Sequence, residues 1–271
     1  MSQDVMAAFS LKDKVALITG AGRGLGATIA ETLGAAGAKV MVTDIDEATA
    51  RAQAEKMQQS GMNAAFGQQD VTDESQWEAT VAKTVSELGG LDVLVNNAGV
   101  ETMAFFENCE LSDFQNIQNI NVTGSFLGIK HCIRAMKPGG PAGQGGSIIN
   151  LSSVAGKGGY PGLGAYCTSK GAARLMSRAA AKECAVLGYG IRVNSIHPAI
   201  IRTEMGNNVI KGWARLGLAE SEAEAEALFE QVQPLGYGEP QDIGNMILFL
   251  ASSASKWVTG SEFLIDGGAR A

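Results

Sequence analysis

A tyrosine and a lysine stand four residues apart in the segment GAYCTSKGAA, at positions 166 and 170. Residues at this spacing lie on one face of an α-helix, so the Lys170 ammonium can lie beside the Tyr166 phenol. A cation about 5 Å away, at an effective dielectric constant of about 20, is worth roughly 3 kcal/mol and lowers a phenol pKa of about 10 by about two units. The pair therefore predicts a tyrosine that exchanges protons near neutral pH.

A glycine-rich turn, TGAGRGLG at residues 19–26, follows the first predicted strand and opens a helix. Gly20, Gly24 and Gly26 allow the sharp bend, the approach of backbone N–H groups to a pyrophosphate and close packing of the helix on the strand. A second glycine pattern, beginning at Gly22, fits the same turn. This context predicts a dinucleotide-binding site.

Asp44 ends the next predicted strand, where a carboxylate can accept hydrogen bonds from both ribose hydroxyls of a dinucleotide. A carboxylate there also repels a 2′-phosphate and favours NAD over NADP, whereas Arg23 inside the glycine turn favours NADP. We expect the carboxylate to dominate. Asp44 could instead cap the following helix, a role that Asp46 could equally take.

Alternating strands and helices are needed to position these groups, and the sequence contains them. The strand-like runs are apolar on both faces, as in a parallel sheet covered by helices. We predict an α/β fold with one doubly wound, Rossmann-like sheet of seven parallel strands and helices on both faces. The predicted strands occupy 14–19, 38–43, 64–69, 92–97, 146–152, 191–198 and 262–266. The predicted helices occupy 25–36, 47–60, 74–88, 111–136, 165–187 and 240–252.

We expect residues 1–271 to form a single dinucleotide-binding and catalytic domain, with a substrate loop or lid at about 203–238. Within that loop, the acidic segment SEAEAEALFE indicates an amphipathic helix, which is either part of a lid or a solvated surface helix. The glycine-rich stretch 138–146 is typical of a surface loop.

Composition argues against several classes of function. The formal charge of −7 opposes binding to nucleic acid or to anionic membranes. No run of about 18 apolar residues is present to span a membrane, and the first residues lack the features of a secretion signal. The four cysteines form no CxxC pair, and His131 and His197 have no ligand spacing. We therefore expect a cytoplasmic protein that acts on small molecules and has no metal site.

Six motifs resemble those of the short-chain dehydrogenase/reductase family in their order and spacing. They are TGAGRGLG, NNAG at 96–99, Asn121 in NINVTG, Ser153 in INLSS, YCTSK at 166–170 and VTGSEFLIDGG at 258–268. One departure is Ala199, where the family has a glycine after the proline. This departure affects the loop that is expected beside the nicotinamide.

By this resemblance, Tyr166 takes the alcohol proton while hydride passes to the nicotinamide, whose positive charge lowers the phenol pKa further. Ser153 hydrogen-bonds the substrate oxygen, and it is preferred to Ser152 because the family serine precedes the tyrosine by thirteen residues. Lys170 also binds the nicotinamide ribose. Asn121 holds a water that links Lys170 to solvent, unless it only satisfies backbone groups of its own helix. The predicted catalytic residues are Asn121, Ser153, Tyr166 and Lys170.

The resemblance also extends the predicted NAD site over most of the chain. Ile201 and Thr203 would bind the carboxamide, and Asp70 would either meet the adenine or cap the helix after the third strand. The predicted NAD-binding residues are Gly20, Arg23, Gly24, Leu25, Gly26, Asp44, Asp70, Val71, Asn97, Ala98, Gly99, Tyr166, Lys170, Pro198, Ile201 and Thr203.

These features predict an NAD-dependent alcohol dehydrogenase that interconverts a secondary alcohol and a ketone, and the family suggests a homotetramer. An NADPH-dependent carbonyl or β-ketoacyl reductase would share every motif, whereas a non-enzymatic NAD(H) sensor would be expected to lack part of the catalytic set. The expected pocket wall is largely apolar, with no arginine placed by a motif to hold an anion, which favours a bulky uncharged cyclic or aromatic alcohol such as a hydroxysteroid. The predicted wall residues are Val100, Met103, Val154, Ala155, Tyr160, Met205 and Trp213.

Overall fold

Seven short apolar runs form β-strands in the computed structural model, which describes residues 5–271. The strands are β1 (Val15–Thr19), β2 (Lys39–Asp44), β3 (Ala64–Gln68), β4 (Val93–Asn96), β5 (Gly146–Leu151), β6 (Ile191–Pro198) and β7 (Glu262–Ile265). They form one sheet in the order β3-β2-β1-β4-β5-β6-β7, and every neighbouring pair is parallel. The predicted fold class is confirmed.

Helices cover both faces of this sheet. They are α1 (Gly24–Ala35), α2 (Glu47–Gln59), α3 (Glu74–Leu88), α4 (Leu111–Gln118), α5 (Gly124–Met136), α6 (Gly164–Val186), α7 (Glu204–Arg215), α8 (Glu222–Gln231) and α9 (Pro240–Ala251). Alternate residues of β1 point to opposite sides, so Ile18 packs with α1, α2 and α9, whereas Leu17 packs with α3, α5 and α6. Burial on both faces is why the strands are apolar throughout.

Two long predicted segments are more finely divided in the structure. The predicted helix 111–136 is interrupted by a π-helical turn at Asn119–Thr123, which separates α4 from α5. The segment 203–238 contains both α7 and α8, and the buried Ala225 and Phe229 give α8 a packed face, so it is not simply a solvated helix. No helix formed by residues 5–271 has the length and apolar character needed to cross a membrane.

Trp77 anchors α3 to the sheet, and its replacement by alanine is expected to lower the free energy of unfolding by about 3–5 kcal/mol. Its side chain is fully buried, and its indole N–H donates to the Val71 carbonyl at 2.9 Å. Urea denaturation measures the effect. The control is Trp257→Ala, because Trp257 is 97% exposed and its loss should cost less than about 0.5 kcal/mol. Equal effects of the two substitutions would contradict this account of the core.

Candidate active site

One cavity of about 510 Å³ opens at the carboxyl ends of β1, β4, β5 and β6. From β1 the chain builds β2 and β3 on one side, and it then returns to place β4 on the other side. Ligands of open α/β sheets bind at such a reversal of strand order, because the loops diverge there and leave a crevice.

Two hydrogen bonds fasten α6 to the end of β5. The Lys170 ammonium donates to the Leu151 carbonyl at 2.8 Å, and the Ser152 hydroxyl donates to the Lys170 carbonyl at 2.8 Å. Lys170 is only 6% exposed, and burial lowers its pKa to about 8. Both Ser152 and Ser153 line the cavity, but the Ser152 hydroxyl donates to the helix backbone at Lys170, whereas the Ser153 hydroxyl donates to the Pro198 carbonyl at 3.4 Å.

Tyr166 and Ser153 line the same cavity, and the Tyr166 ring centroid lies 5.5 Å from the Lys170 nitrogen. Dense packing around the phenol raises its pKa, the neighbouring Ser153 hydroxyl lowers it, and the negative charge of Glu101 raises it further. The sequence predicts that Lys170 lowers the pKa of the Tyr166 phenol, and this prediction is wrong when only the groups of the protein itself are considered. Burial outweighs the effect of Lys170, whose own charged form is disfavoured by the same burial.

Asn121 lies in the π-helical turn and binds the loop that follows β4. Its side-chain oxygen accepts from the Val100 N–H at 2.9 Å, while its amide donates to the Val100 carbonyl at 2.9 Å and to the Ser169 hydroxyl at 3.0 Å. The residue is buried, so these bonds fix Val100 and the adjoining α6 together. The partners of the side chain lie outside its own helix, and its predicted water-holding role stays a prediction.

The two histidines have partners that the sequence does not reveal. His197, fully buried, is hydrogen-bonded through Nδ1 to the Ser153 carbonyl at 3.0 Å and through Nε2 to the Ser195 hydroxyl at 2.9 Å. Burial lowers the pKa of His197, so it supports Ser153 as a neutral ring. His131 binds the Glu74 carboxylate at 3.0 Å. The contacts of His197 with Ser153 and of His131 with Glu74 join residues distant in sequence, so no local pattern indicates them.

The glycine turn has the shape that a dinucleotide pyrophosphate requires. Helix α1 begins at Gly24, and Arg23 before it supplies no side-chain cap, so the first backbone N–H groups are available to an anion. Gly24 has a φ of +56°, which favours glycine, and a Cβ at Gly26 would lie 2.2 Å from the Gly20 carbonyl oxygen. The turn therefore fits the predicted cofactor.

Asp44 is held by the turn rather than by the helix that follows it. Its two carboxylate oxygens accept from the Gly22 N–H at 3.0 Å and the Asp46 N–H at 3.2 Å. Asp46 caps α2 by accepting from Ala48 N–H at 2.9 Å and Thr49 N–H at 3.4 Å. The capping alternative for Asp44 is therefore wrong.

Asp70 likewise is not a helix cap. Its carboxylate accepts from the Thr72 N–H at 2.9 Å and the Thr72 hydroxyl at 2.8 Å, while Asp73 caps α3. Asp70 and Val71, with Gly20 and Asp44, do not line the cavity. The predicted cofactor residues that do line it are Arg23, Gly24, Leu25, Gly26, Asn97, Ala98, Gly99, Tyr166, Lys170, Pro198, Ile201 and Thr203.

The substrate end of the cavity is mostly apolar, as predicted, but its composition differs in detail. Neither Met103 nor Trp213 lines the cavity, because Met103 lies against Gly212 and Trp213 packs on Phe229 with a tilt of 56° and 4.6 Å between ring centroids. The predicted wall residues that do line it are Val100, Val154, Ala155, Tyr160 and Met205. Sequence reasoning missed the lining residues Glu101, Leu163, Asn208, Val209 and Phe229.

This fold and site define a short-chain dehydrogenase/reductase. A family model described as Enoyl-(Acyl carrier protein) reductase matches residues 20–270, and the chain belongs to the short-chain dehydrogenase/reductase family. Members of this family use a nicotinamide cofactor, either NAD or NADP.

Individual relatives narrow the chemistry. The chain is 39% identical over 263 residues to trans-4-hydroxycyclohexanecarboxylate dehydrogenase of Sinomonas cyclohexanicum, covering 94% of this chain and 92% of that protein. It is 36% identical over 265 residues to the NADP-dependent (R)-specific alcohol dehydrogenase of Lentilactobacillus kefiri, covering 95% and 97%. A solved 7α-hydroxysteroid dehydrogenase, complexed with NADH and 7-oxo glycochenodeoxycholic acid, matches with a TM-score of 0.85 at 34% identity, covering 97% and 96%. These similarities support an oxidoreductase of the secondary alcohol and ketone type.

Replacing Lys170 by methionine is expected to stabilise the protein by about 1–2 kcal/mol at pH 7. Keeping the ammonium charged against a pKa of about 8, instead of the ordinary 10.5, costs about 3 kcal/mol, while the Leu151 carbonyl loses a donor worth about 1–2 kcal/mol. The gain should shrink as the pH rises from about 8 to 10.5, because the unfolded wild-type lysine then binds more protons than the folded one.

Urea denaturation of both proteins at pH 7 and pH 10 measures this difference. Lys182→Met is the control, because Lys182 lies exposed on the same helix and its loss should have little effect at either pH. A destabilised Lys170→Met protein at pH 7 would contradict the stated cost of burying the ammonium.

Proposed function

We propose that the protein is an NAD-dependent dehydrogenase that interconverts a secondary alcohol and a ketone, with Tyr166 as the general acid and base. The observation that carries the proposal is that Ser153 and Tyr166 line one cavity directly beside the buried Lys170. Two hydroxyl groups that converge in a cavity hold a carbonyl or carbinol oxygen from two sides. The complete set with Asn121 also disfavours a non-enzymatic sensor.

In the oxidative direction, the phenolate of Tyr166 accepts the substrate hydroxyl proton, and Ser153 donates a hydrogen bond to the same oxygen. The bound nicotinamide supplies the acceptor for the hydride that leaves the carbinol carbon with the electron pair of its C–H bond. Lys170 contributes a positive charge below the phenol, and it would hold the nicotinamide ribose. His197 keeps the backbone of Ser153 in place. In the reductive direction, Tyr166 donates the proton.

The raised pKa of the Tyr166 phenol implies that Tyr166 needs the oxidised cofactor in order to act as a base. Burial alone disfavours the phenolate of Tyr166 and lowers the pKa of Lys170 to about 8. A positively charged nicotinamide close to both groups would favour the phenolate and disfavour a second nearby cation. We infer that Tyr166 becomes an effective base only in the complex with the oxidised cofactor.

The proposed substrate is a bulky uncharged cyclic or aromatic alcohol such as a hydroxysteroid. The apolar lining beyond Ser153 supports an uncharged ring. Two similar proteins are named for ring alcohols, a hydroxysteroid and a hydroxycyclohexanecarboxylate, and they support the ring alcohol, although the second compound carries a charge. We also propose a homotetramer in the cytoplasm. Phe126 on α5 and Leu175 on α6 are 50% and 65% exposed, and an assembly that covered these helices would remove both from water.

Tyr166→Phe is expected to reduce kcat for a secondary alcohol by about a hundredfold or more, because it removes only the proton-carrying oxygen. Steady-state kinetics with NAD measure the rate, and fluorescence titration shows whether NADH still binds. Tyr189→Phe is the matched control, because Tyr189 lies against Lys137 outside the cavity and should keep full activity. A Tyr166→Phe enzyme with more than about a hundredth of the wild-type rate would rule out Tyr166 as the general base.

We expect the wild-type enzyme to prefer NAD, and Asp44→Ala to reduce that preference by about tenfold or more by removing a charge that repels a 2′-phosphate. Arg23, whose side chain is 77% exposed and lies 3.7 Å from Glu204, then attracts the phosphate without an opposing carboxylate at position 44. The ratio of kcat/KM for NAD and NADP measures the change. Asp46→Ala is the control, because it removes a nearby carboxylate that caps α2 and should cost stability rather than cofactor preference. Equal use of both cofactors by the wild type would contradict the assignment and favour a carbonyl reductase.

A further inference from the structure

Glu101 places a carboxylate in the wall of the substrate cavity, at a position held from both sides. The preceding Val100 is bound by Asn121 through two hydrogen bonds of 2.9 Å. Three residues further on, Ala104 pairs with Leu163 just before α6. The short segment between these anchors has little freedom, so the Glu101 carboxylate occupies a defined part of the cavity.

No lysine, arginine or histidine of residues 5–271 forms an ion pair with Glu101. Its one side-chain hydrogen bond comes from the Asn208 amide on α7, at 3.3 Å. The neighbouring acid Glu204 is differently placed, since it lies 3.7 Å from Arg23. Partial burial and the charge of Glu204 raise the pKa of Glu101. Two carboxylate oxygens can accept several hydrogen bonds, so most of this capacity is unused.

Glu101 lines the same cavity as Tyr166 and Ser153. Its negative charge raises the pKa of the Tyr166 phenol. A substrate that places its hydroxyl at Tyr166 and Ser153 therefore shares this cavity with the Glu101 carboxylate. In a partly desolvated site, a carboxylate stabilises a hydrogen-bond donor and repels an anion.

We propose that Glu101 is a specificity-determining residue that accepts a hydrogen bond from a second hydroxyl group on a cyclic alcohol and disfavours substrates that carry a carboxylate. This inference rests on the proposed oxidation of a secondary alcohol and defines its substrate as a cyclic diol. The rest of the wall, which includes Val154 and Ala155, is apolar and suits the ring itself.

A purely structural role for Glu101 would be a tie to α7 through Asn208. That role predicts that Glu101→Leu and Asn208→Leu change kcat/KM by similar factors for every substrate. The proposed role predicts instead that Glu101→Leu changes the ranking of substrates. The two roles are therefore separated by ratios of kcat/KM rather than by absolute rates.

The experiment measures kcat/KM with saturating NAD for cyclohexanol, for the 1,2-, 1,3- and 1,4-cyclohexanediols and for 3-hydroxycyclohexanecarboxylate. The wild type should prefer at least one diol to cyclohexanol by about tenfold, the value of a hydrogen bond to a charged group. In Glu101→Leu this ratio should fall towards one, and the relative rate with the carboxylate should rise about tenfold. Glu101→Gln, which preserves shape, should show the same rise with the carboxylate.

Glu204→Gln serves as the matched control, because it removes an acid from the same cavity without removing Glu101. Loss of discrimination against the carboxylate in Glu204→Gln but not in Glu101→Gln would overturn the assignment. A diol preference in the wild type that survives in Glu101→Leu, or no diol preference at all, would overturn it as well.

A binding measurement separates this inference from the proposed chemistry. Calorimetry of Tyr166→Phe with NAD should show tighter binding of the preferred diol than of cyclohexanol, and the added Glu101→Leu substitution should remove the difference. Turnover of cyclohexanol together with equal binding of the two alcohols would contradict the role of Glu101 alone. Failure of the wild type to oxidise any of the alcohols would contradict the proposed function and this inference with it.

Discussion

The attachment of α6 to the end of β5 is the constraint on which the site depends. The Lys170 side chain donates to the backbone carbonyl of Leu151, and the Ser152 side chain donates to the backbone carbonyl of Lys170. Each element therefore binds the backbone of the other. These two hydrogen bonds fix the position of α6 along β5, so that Tyr166, one helical turn before Lys170, lines the same cavity as Ser153. Without this attachment, the position of Tyr166 on α6 would not be fixed relative to Ser153, which lies on the loop after β5.

Burial sets the electrostatics of this arrangement. The charged forms of Tyr166 and Lys170 are both disfavoured by the packed surroundings, so the protein carries two groups whose useful ionisation states are costly in the chain itself. Such a site is poised to respond to a charge that arrives with a ligand. The pKa shifts thus follow from the packing, and in the proposed mechanism the oxidised cofactor contributes a positive charge as well as a hydride acceptor.

Sequence predicted the features that depend on local pattern. The apolar runs identified all seven strands, because the central strands are buried on both faces and the edge strands β3 and β7 are still partly buried. The glycines of 19–26 identified the turn because of the positive φ at Gly24 and the close approach at Gly26. Features that depend on distant partners were missed. The contacts of Asn121 depend on Val100, and the choice between Asp44 and Asp46 as a cap required knowing which carboxylate the glycine turn already holds. No local pattern indicated the π-helical turn. The prediction of a lowered pKa for the Tyr166 phenol was wrong, because the four-residue spacing of Tyr166 and Lys170 does not reveal how deeply the two side chains are buried.

The segment from Val100 to Ala104 carries a residue of the cavity wall, Glu101, on a backbone that lies apart from the helix that carries Tyr166 and Lys170. It is fixed at its two ends by backbone contacts, and the side chain of Glu101 between them belongs to neither core cluster and accepts a hydrogen bond from Asn208 of α7. Substitutions at this one position are therefore expected to change the chemistry of the cavity wall at little cost in folding free energy. If Glu101 has its proposed role, a change of substrate range can begin at this residue while the elements that carry Tyr166 and Lys170 keep their positions.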